Sequence, residues 1–131
     1  MNILVVDDEK DVKTLFEQRF RKEIRDHEID FAFAFSGEEA LDYLNQHLHQ
    51  AVLILSDINM PGMSGLELPG MSGLELLDRI MKKYDTPPPI VMMLTAYGDA
   101  DNFNMAKSLG ADDFLTKPVD FTNLKEKIKN F

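Results

Sequence analysis

The stretch Ile3-Leu4-Val5-Val6-Asp7-Asp8 decides the fold: four consecutive apolar residues that stop at two carboxylates read as a strand buried on both faces, its carboxyl end opening on solvent. The pattern recurs three times. Residues 52–55 run into Ser56-Asp57, residues 90–94 into Thr95, and Phe114-Leu115 into Thr116-Lys117. If these runs are parallel strands of one sheet, their ends share one edge, where three carboxylates, a hydroxyl and an ammonium meet. Such a set suits a metal and an anion.

The segments between the runs read as helices and one further strand. Val12, Leu15, Phe16, Phe20 and Ile24 recur every three to four residues, which predicts one amphipathic helix over about residues 10–25. Ile29, Phe31, Phe33 and Phe35 alternate as a second strand, and Ala32 and Ala34 between them leave room for a helix on that face. Ser36 with Glu39 forms a capping box ahead of Ala40, Leu41, Leu44 and Leu48. Leu74, Leu77, Ile80 and Met81 keep helical spacing from Gly73 to Tyr84, and Pro87-Pro88-Pro89 then enforces an extended connection. Asp99 is placed to cap a helix bearing Phe103, Ala106 and Leu109, with Gly110 at its left-handed end. Asp120 or Thr122 caps a last helix carrying Leu124 and Ile128. Five strands alternating with five helices predict an α/β fold, a doubly wound five-stranded parallel sheet with helices on both faces.

Residues 61–68 and 69–76 are both Pro-Gly-Met-Ser-Gly-Leu-Glu-Leu, directly after the acidic strand end. Eight residues are too few for a solenoid unit. Pro69-Gly70 forbids one helix through both copies, so copy one should leave the strand and copy two should start the helix. Closing a loop longer by eight residues costs under about 1 kcal/mol. Exposing Met63, Leu66 and Leu68 costs more, roughly 1.5 to 3 kcal/mol each, so the extra segment is expected to find an apolar surface on its own domain or in a homodimer.

Composition narrows the function. A chain of 131 residues with 44% hydrophobic and 28% charged content is expected to form a single domain spanning 1–131. No apolar run approaches the roughly 20 residues of a membrane span, and no signal-peptide pattern opens the chain, so a cytoplasmic protein without membrane contact is expected. There are no cysteines, which removes thiol catalysis and thiolate metal sites. A formal charge of −9 argues against direct nucleic-acid binding and favours a cation or a basic partner.

The strand-end residues have a coherent chemistry. Mg²⁺ takes oxygen ligands and needs only one or two carboxylates, which Asp7, Asp8 and Asp57 supply. Asp57 stands alone at its strand end and is the best nucleophile for in-line attack on a phosphoryl donor, giving an acyl phosphate. Lys117 would pair with that carboxylate or with the incoming oxygens, and the Thr95 hydroxyl would hydrogen-bond one of them.

Four segments carry a family resemblance: Leu4-Val5-Val6-Asp7-Asp8-Glu9, Ser56-Asp57-Ile58-Asn59-Met60-Pro61-Gly62-Met63-Ser64-Gly65, Leu94-Thr95-Ala96 and Phe114-Leu115-Thr116-Lys117-Pro118. In this order they resemble the receiver domains of two-component response regulators, with their flavodoxin-like fold. The resemblance implies that Asp57 accepts a phosphoryl group from a histidine kinase or phosphotransfer protein and signals to a downstream effector or fused output domain. It implies Mg²⁺ held by Asp7, Asp8 (one of them through water), Asp57 and the Asn59 backbone carbonyl, and a cis peptide before Pro118. It implies that Thr95 moves toward the phosphate while Phe114 turns inward, altering the face of the fourth helix, fifth strand and fifth helix. Asn59 and Tyr97 stand where the family tunes phosphoryl lifetime, and a bulky Tyr97 implies slow autodephosphorylation. The second octapeptide departs from the family pattern.

Other readings start from the same residues. Taken singly, Lys117 is an ordinary surface lysine, Thr95 a β-former and Phe114 a core aromatic, so their weight is joint. Phe31, Phe33 and Phe35 read as core, Met92 and Met93 as gap-filling packing. His27, His47 and His49 lack zinc-ligand spacing. A receiver fold disabled by the repeat would be a binding or oligomerising scaffold. An aspartyl phosphatase usually has an acid where Asn59 stands, and no dinucleotide-binding glycine motif follows the first strand.

Overall fold

The computed structural model describes residues 1–47, 53–58, 73–83, 89–95 and 100–130. The chain lays down β1 (Asn2–Val6), α1 (Asp11–Arg19), α2 (Arg21–Arg25), β2 (Asp30–Ala34), α3 (Gly37–Gln46), β3 (Leu53–Asp57), α4 (Gly73–Lys83), β4 (Ile90–Thr95), α5 (Ala100–Leu109), β5 (Asp113–Thr116) and α6 (Phe121–Lys129). The five strands form one all-parallel sheet in the order β2-β1-β3-β4-β5. The chain reverses its direction of travel between β1 and β3, so a crevice opens at their carboxyl ends.

Each apolar run divides its side chains between two cores. Leu4, Val6, Ile54, Val91 and Met93 face α3, α4 and α5, where they meet Leu44, Leu76, Leu77, Ile80 and Ala106. Ile3, Val5, Leu53, Leu55, Met92 and Leu94 face the other side, against Phe16 and Phe20 and against Leu124 and Ile128 of α6. Continuous apolar runs in β1, β3 and β4 thus follow from burial on both faces. Met92 and Met93 are fully buried on opposite faces, as packing residues.

Edge strand β2 needs apolar cover unevenly. Ala32 and Ala34 contact the α3 side, and their small size admits that helix close to the sheet. Phe31 and Phe33 turn the other way, with ring centroids 5.7 Å and 6.4 Å from Phe16. Phe35 lies beyond the strand.

The structure departs from the sequence reading at three places. The first helix is two, because Phe20 leaves helical geometry at φ −108° and ψ 22°. Its ring is fully buried and stacks 5.9 Å from Phe16, and Leu15, off that stripe, is exposed. Strand β3 extends through Ser56 to Asp57 and is buried throughout, while Val52 lies outside the described residues. Strand β2 begins at Asp30, leaving Ile29 buried just ahead of it.

Helix ends follow the expected chemistry. Ser36 Oγ accepts from the Glu39 N–H at 3.1 Å, and Glu39 Oε2 accepts from the Phe35 N–H at 3.2 Å, one residue earlier than in a standard capping box. Asp120, rather than Thr122, caps α6 by accepting from the N–H groups of Thr122 and Asn123. Gly110 sits at φ +108°, which a side chain would strain. Ser36→Ala is expected to cost about 1 kcal/mol in a urea denaturation series.

Candidate functional site

Sheet register brings the polar strand ends together. Val6 pairs with Ser56, so Asp7 and Asp57 lie side by side at the crevice between β1 and β3. Leu94 pairs with Asp57, and Thr95 with Thr116, which puts Thr95 and then Lys117 along the same edge. The backbone holds each group in place. Asp7 donates its N–H to Ala34 O at 3.1 Å, and Lys117 donates its N–H to Thr95 O at 2.8 Å.

Asp7 and Asp57 are only 4% and 3% exposed, which is unusual for carboxylates and requires charge or hydrogen-bond compensation. Lys117 Nζ hydrogen-bonds Asp57 Oδ2 and lies 3.6 Å from Asp7 Oδ2, and the Glu9 N–H donates to Asp7 Oδ1 at 3.0 Å. One ammonium serves two carboxylates. Burial therefore pushes the Asp7 carboxyl up to about 6, against the Glu9 N–H and the Lys117 charge that oppose the rise, with Asp57 and Asp8 adding to it. Burial pulls Lys117 down, but the hydrogen bond and charge of Asp57, then the charges of Asp7 and Glu9, raise it overall.

Oxygens of Asp7, Asp8 and Asp57 lie within 4.8 Å of one another, the only such group of potential metal ligands among the described residues. Three hard oxygen donors with a surplus of negative charge fit a divalent cation such as Mg²⁺. The Thr95 Oγ1 donates to Leu115 O at a long 3.5 Å, a weak bond that is easily exchanged for a better acceptor. A cavity of about 520 Å³ borders Asp7 and Lys117, with Val12, Phe16 and Pro118 among its walls. The Lys117-Pro118 peptide is cis.

Of the residues singled out in the sequence, Asp7, Asp8, Asp57, Thr95 and Lys117 converge at this edge. Phe114 lies two residues before Thr116 on the face shared with Met93. Asn59, Tyr97, Asp99 and residues 61–72 of the repeat lie outside the described residues, as does His49. His47 stacks on Tyr43 at 4.3 Å and its Nδ1 lies 3.0 Å from Tyr43 O, a local contact away from the acidic cluster.

Sequence reasoning missed Gly73 as a determinant of the site. Its N–H donates to Ile58 O at 3.0 Å, and a Cβ there would stand 2.0 Å from Asp57 O and 2.6 Å from the Ile58 Cα. Helix α4 thus starts in direct backbone contact with the strand end that carries Asp57. The second glycine of each octapeptide, Gly65 and Gly73, was the available signal.

A doubly wound parallel sheet with three carboxylates and a lysine at its crevice defines the class, a small α/β protein with a cation-compatible acidic site at its strand ends. The response regulator receiver domain family matches residues 3–129, and the chain belongs to that family. It is similar to a response regulator receiver domain protein from Clostridium thermocellum at 29% identity and TM-score 0.79, covering 98% of this chain and 91% of that one. The receiver domain of NtrX from Brucella abortus is similar at 30% identity and TM-score 0.73, with 98% and 95% covered. The same similarity, at 29% identity and TM-score 0.74, covers 98% of this chain and 26% of a longer NtrX chain from Brucella abortus crystallised with ATP. Receiver domains are phosphoacceptor signalling domains of two-component systems rather than classical enzymes.

Proposed function

We propose that the chain is a single receiver domain whose Asp57 takes a phosphoryl group from the phosphohistidine of a histidine kinase or phosphotransfer protein. The observation that carries this reading is the buried Asp7–Asp57 pair at the β1/β3 crevice under one lysine. Asp57 is the acceptor because it ends the central strand and its carboxylate is oriented by Lys117. Attack forms the aspartyl O–P bond as the donor's N–P bond breaks. Lys117 then shifts its ammonium toward the phosphoryl oxygens, and the Thr95 hydroxyl exchanges Leu115 O for one of them.

Asp7, Asp8 and Asp57 would hold Mg²⁺ together with the Asn59 carbonyl, and the ion would supply charge neutralisation at the acceptor. Movement of Thr95 opens space for Phe114 to turn in, altering the face of α5, β5 and α6, where a downstream effector or a fused output domain would bind. The long NtrX chain supports the fused arrangement. Among the described residues no helix is long and apolar enough to cross a membrane, and we place the protein in the cytoplasm with its kinase's catalytic parts.

Slow loss of the phosphoryl group is part of the proposal, with Tyr97 screening the acyl phosphate from water. Tyr97→Ala is expected to shorten the phosphoryl lifetime several-fold in a single-turnover decay assay; an unchanged lifetime removes the role. The repeat at 61–76 favours a second reading, a tandem duplication that impairs phosphorylation and leaves a dimerising scaffold. Deleting either octapeptide produces the same single-copy chain, so one variant isolates the effect of the repeat. Incubation with acetyl phosphate and Mg²⁺, read by intact mass, should add one phosphoryl group that Asp57→Ala abolishes. Labelling of the single-copy chain alone would support the scaffold instead.

A further inference from the structure

We infer that Phe103 is a latch on the Phe114 switch, holding its ring outward and becoming uncovered when the ring turns toward Thr95. The ring centroids of Phe103 and Phe114 are 4.3 Å apart with the planes tilted by 42°. Phe103 lies on α5 and is 37% exposed, with the Phe114 ring against its own. Phe114 in turn is half-buried, resting on the core that holds Met93 and Ala106. The contact therefore belongs to one position of the Phe114 ring.

The connection between α5 and β5 ties the backbones that carry the two rings, so helix and strand do not shift together with the Phe114 ring. Ala111 N–H donates to Ala106 O at 3.1 Å, and Asp112 N–H donates to Val91 O at 2.8 Å. Asp112 Oδ2 accepts from the Val91 N–H at 2.8 Å, tying the same turn to β4 a second time. Asp113 pairs with Lys127 of α6 at 2.8 Å, which anchors the start of β5 on its other side. With both elements tied down, an inward turn of Phe114 breaks the aromatic pair and exposes more of Phe103 on the α5–β5–α6 face.

An aromatic pair of this kind biases the two ring positions by roughly 2- to 13-fold. By linkage, a ligand that favours the inward position must overcome the same factor. The inference rests on the proposed switch role of Phe114, but its first readout does not need phosphorylation. Side-chain couplings measured by NMR on the unmodified protein report the populations of Phe114 χ1. Phe103→Ala is expected to raise the inward-to-outward ratio by that factor, Phe103→Tyr to restore the wild-type ratio, and Phe103→Leu to fall between.

Titration with beryllofluoride and Mg²⁺ supplies the second readout. Phe103→Ala should bind this phosphoryl mimic more tightly by up to the same factor, whereas simple loss of packing would weaken binding or leave it alone. Equal χ1 populations in wild type, Phe103→Ala and Phe103→Tyr would overturn the latch. If Asp57 fails to accept a phosphoryl group while χ1 still responds to Phe103, the functional proposal fails and the latch stands.

Discussion

Gly73→Ala is expected to destabilise the protein by at least about 3 kcal/mol, and by more than Gly65→Ala does. The difference arises because the Gly73 position is bounded by backbone. A Cβ at Gly73 would lie 2.0 Å from Asp57 O, 2.6 Å from the Ile58 Cα and 2.8 Å from the Asp57 carbonyl carbon, none of which is a flexible side-chain end. Relief requires moving α4 away from β3 or shifting the strand end that carries Asp57, the proposed acceptor. Gly73→Ala should therefore lose phosphoryl acceptance as well as stability.

The two octapeptides are identical, so residues beyond them decide which glycine fills that position. Downstream of Gly73, Leu77 and Ile80 are buried at 1% and 0% exposure. If Gly65 occupied the slot, Pro69 and Ser72 would stand in their places. That register loses two buried apolar side chains at roughly 1.5 to 3 kcal/mol each and puts a proline in the helix interior at about 3 kcal/mol. Urea denaturation of both alanine variants tests the assignment. A destabilised Gly65→Ala with a neutral Gly73→Ala would assign the helix start to copy one.

Asp7→Asn is expected to stabilise the metal-free protein at pH 7.5 by roughly 1 to 3 kcal/mol, although it removes part of the proposed metal site. Burial pushes the folded Asp7 carboxyl up to about 6 from the 3.8 of a free aspartate, so the folded state binds its proton more tightly than the unfolded chain. The sign follows. That proton's stabilising contribution is fully present below about pH 4 and is lost as pH rises through 6, leaving a buried charge that Lys117 only partly compensates. Asparagine carries no such charge.

The gain should accordingly shrink toward zero near pH 4. Saturating Mg²⁺ should also narrow it at pH 7.5, because a cation that binds only the folded wild type stabilises it by mass action. Thermal melts of both proteins at the two pH values, with and without Mg²⁺, measure all of this. A metal-free Asp7→Asn less stable than wild type at pH 7.5 would contradict the electrostatic account.

The sheet was legible because the central parallel strands are continuous apolar runs that end in polar residues. The site was legible for the same reason, since residues at the ends of such runs are forced to one edge by register. The break at Phe20 was not, because Val12, Phe16, Phe20 and Ile24 keep i,i+4 spacing across it and the departure is in the backbone. The full length of β3 was hidden by the polarity of Ser56, whose hydroxyl donates to Asp57 O, and of Asp57, whose buried charge Lys117 compensates from just beyond the end of β5. A lysine 60 residues away leaves no local mark at Asp57. Gly73 was read as the helix start from the spacing of Leu74, Leu77, Ile80 and Met81, as the structure has it, but its contact with Asp57 depends on tertiary packing.

The most direct test of the central claim is the chemical identity of position 57 after phosphorylation. Protein treated with acetyl phosphate and Mg²⁺ is reduced with borohydride, which converts an aspartyl phosphate to homoserine, and is sequenced by tandem mass spectrometry. The account predicts homoserine at position 57, present in wild type and absent when Mg²⁺ is withheld. Homoserine at position 7 or 8, or at no position despite intact folded protein, would contradict it.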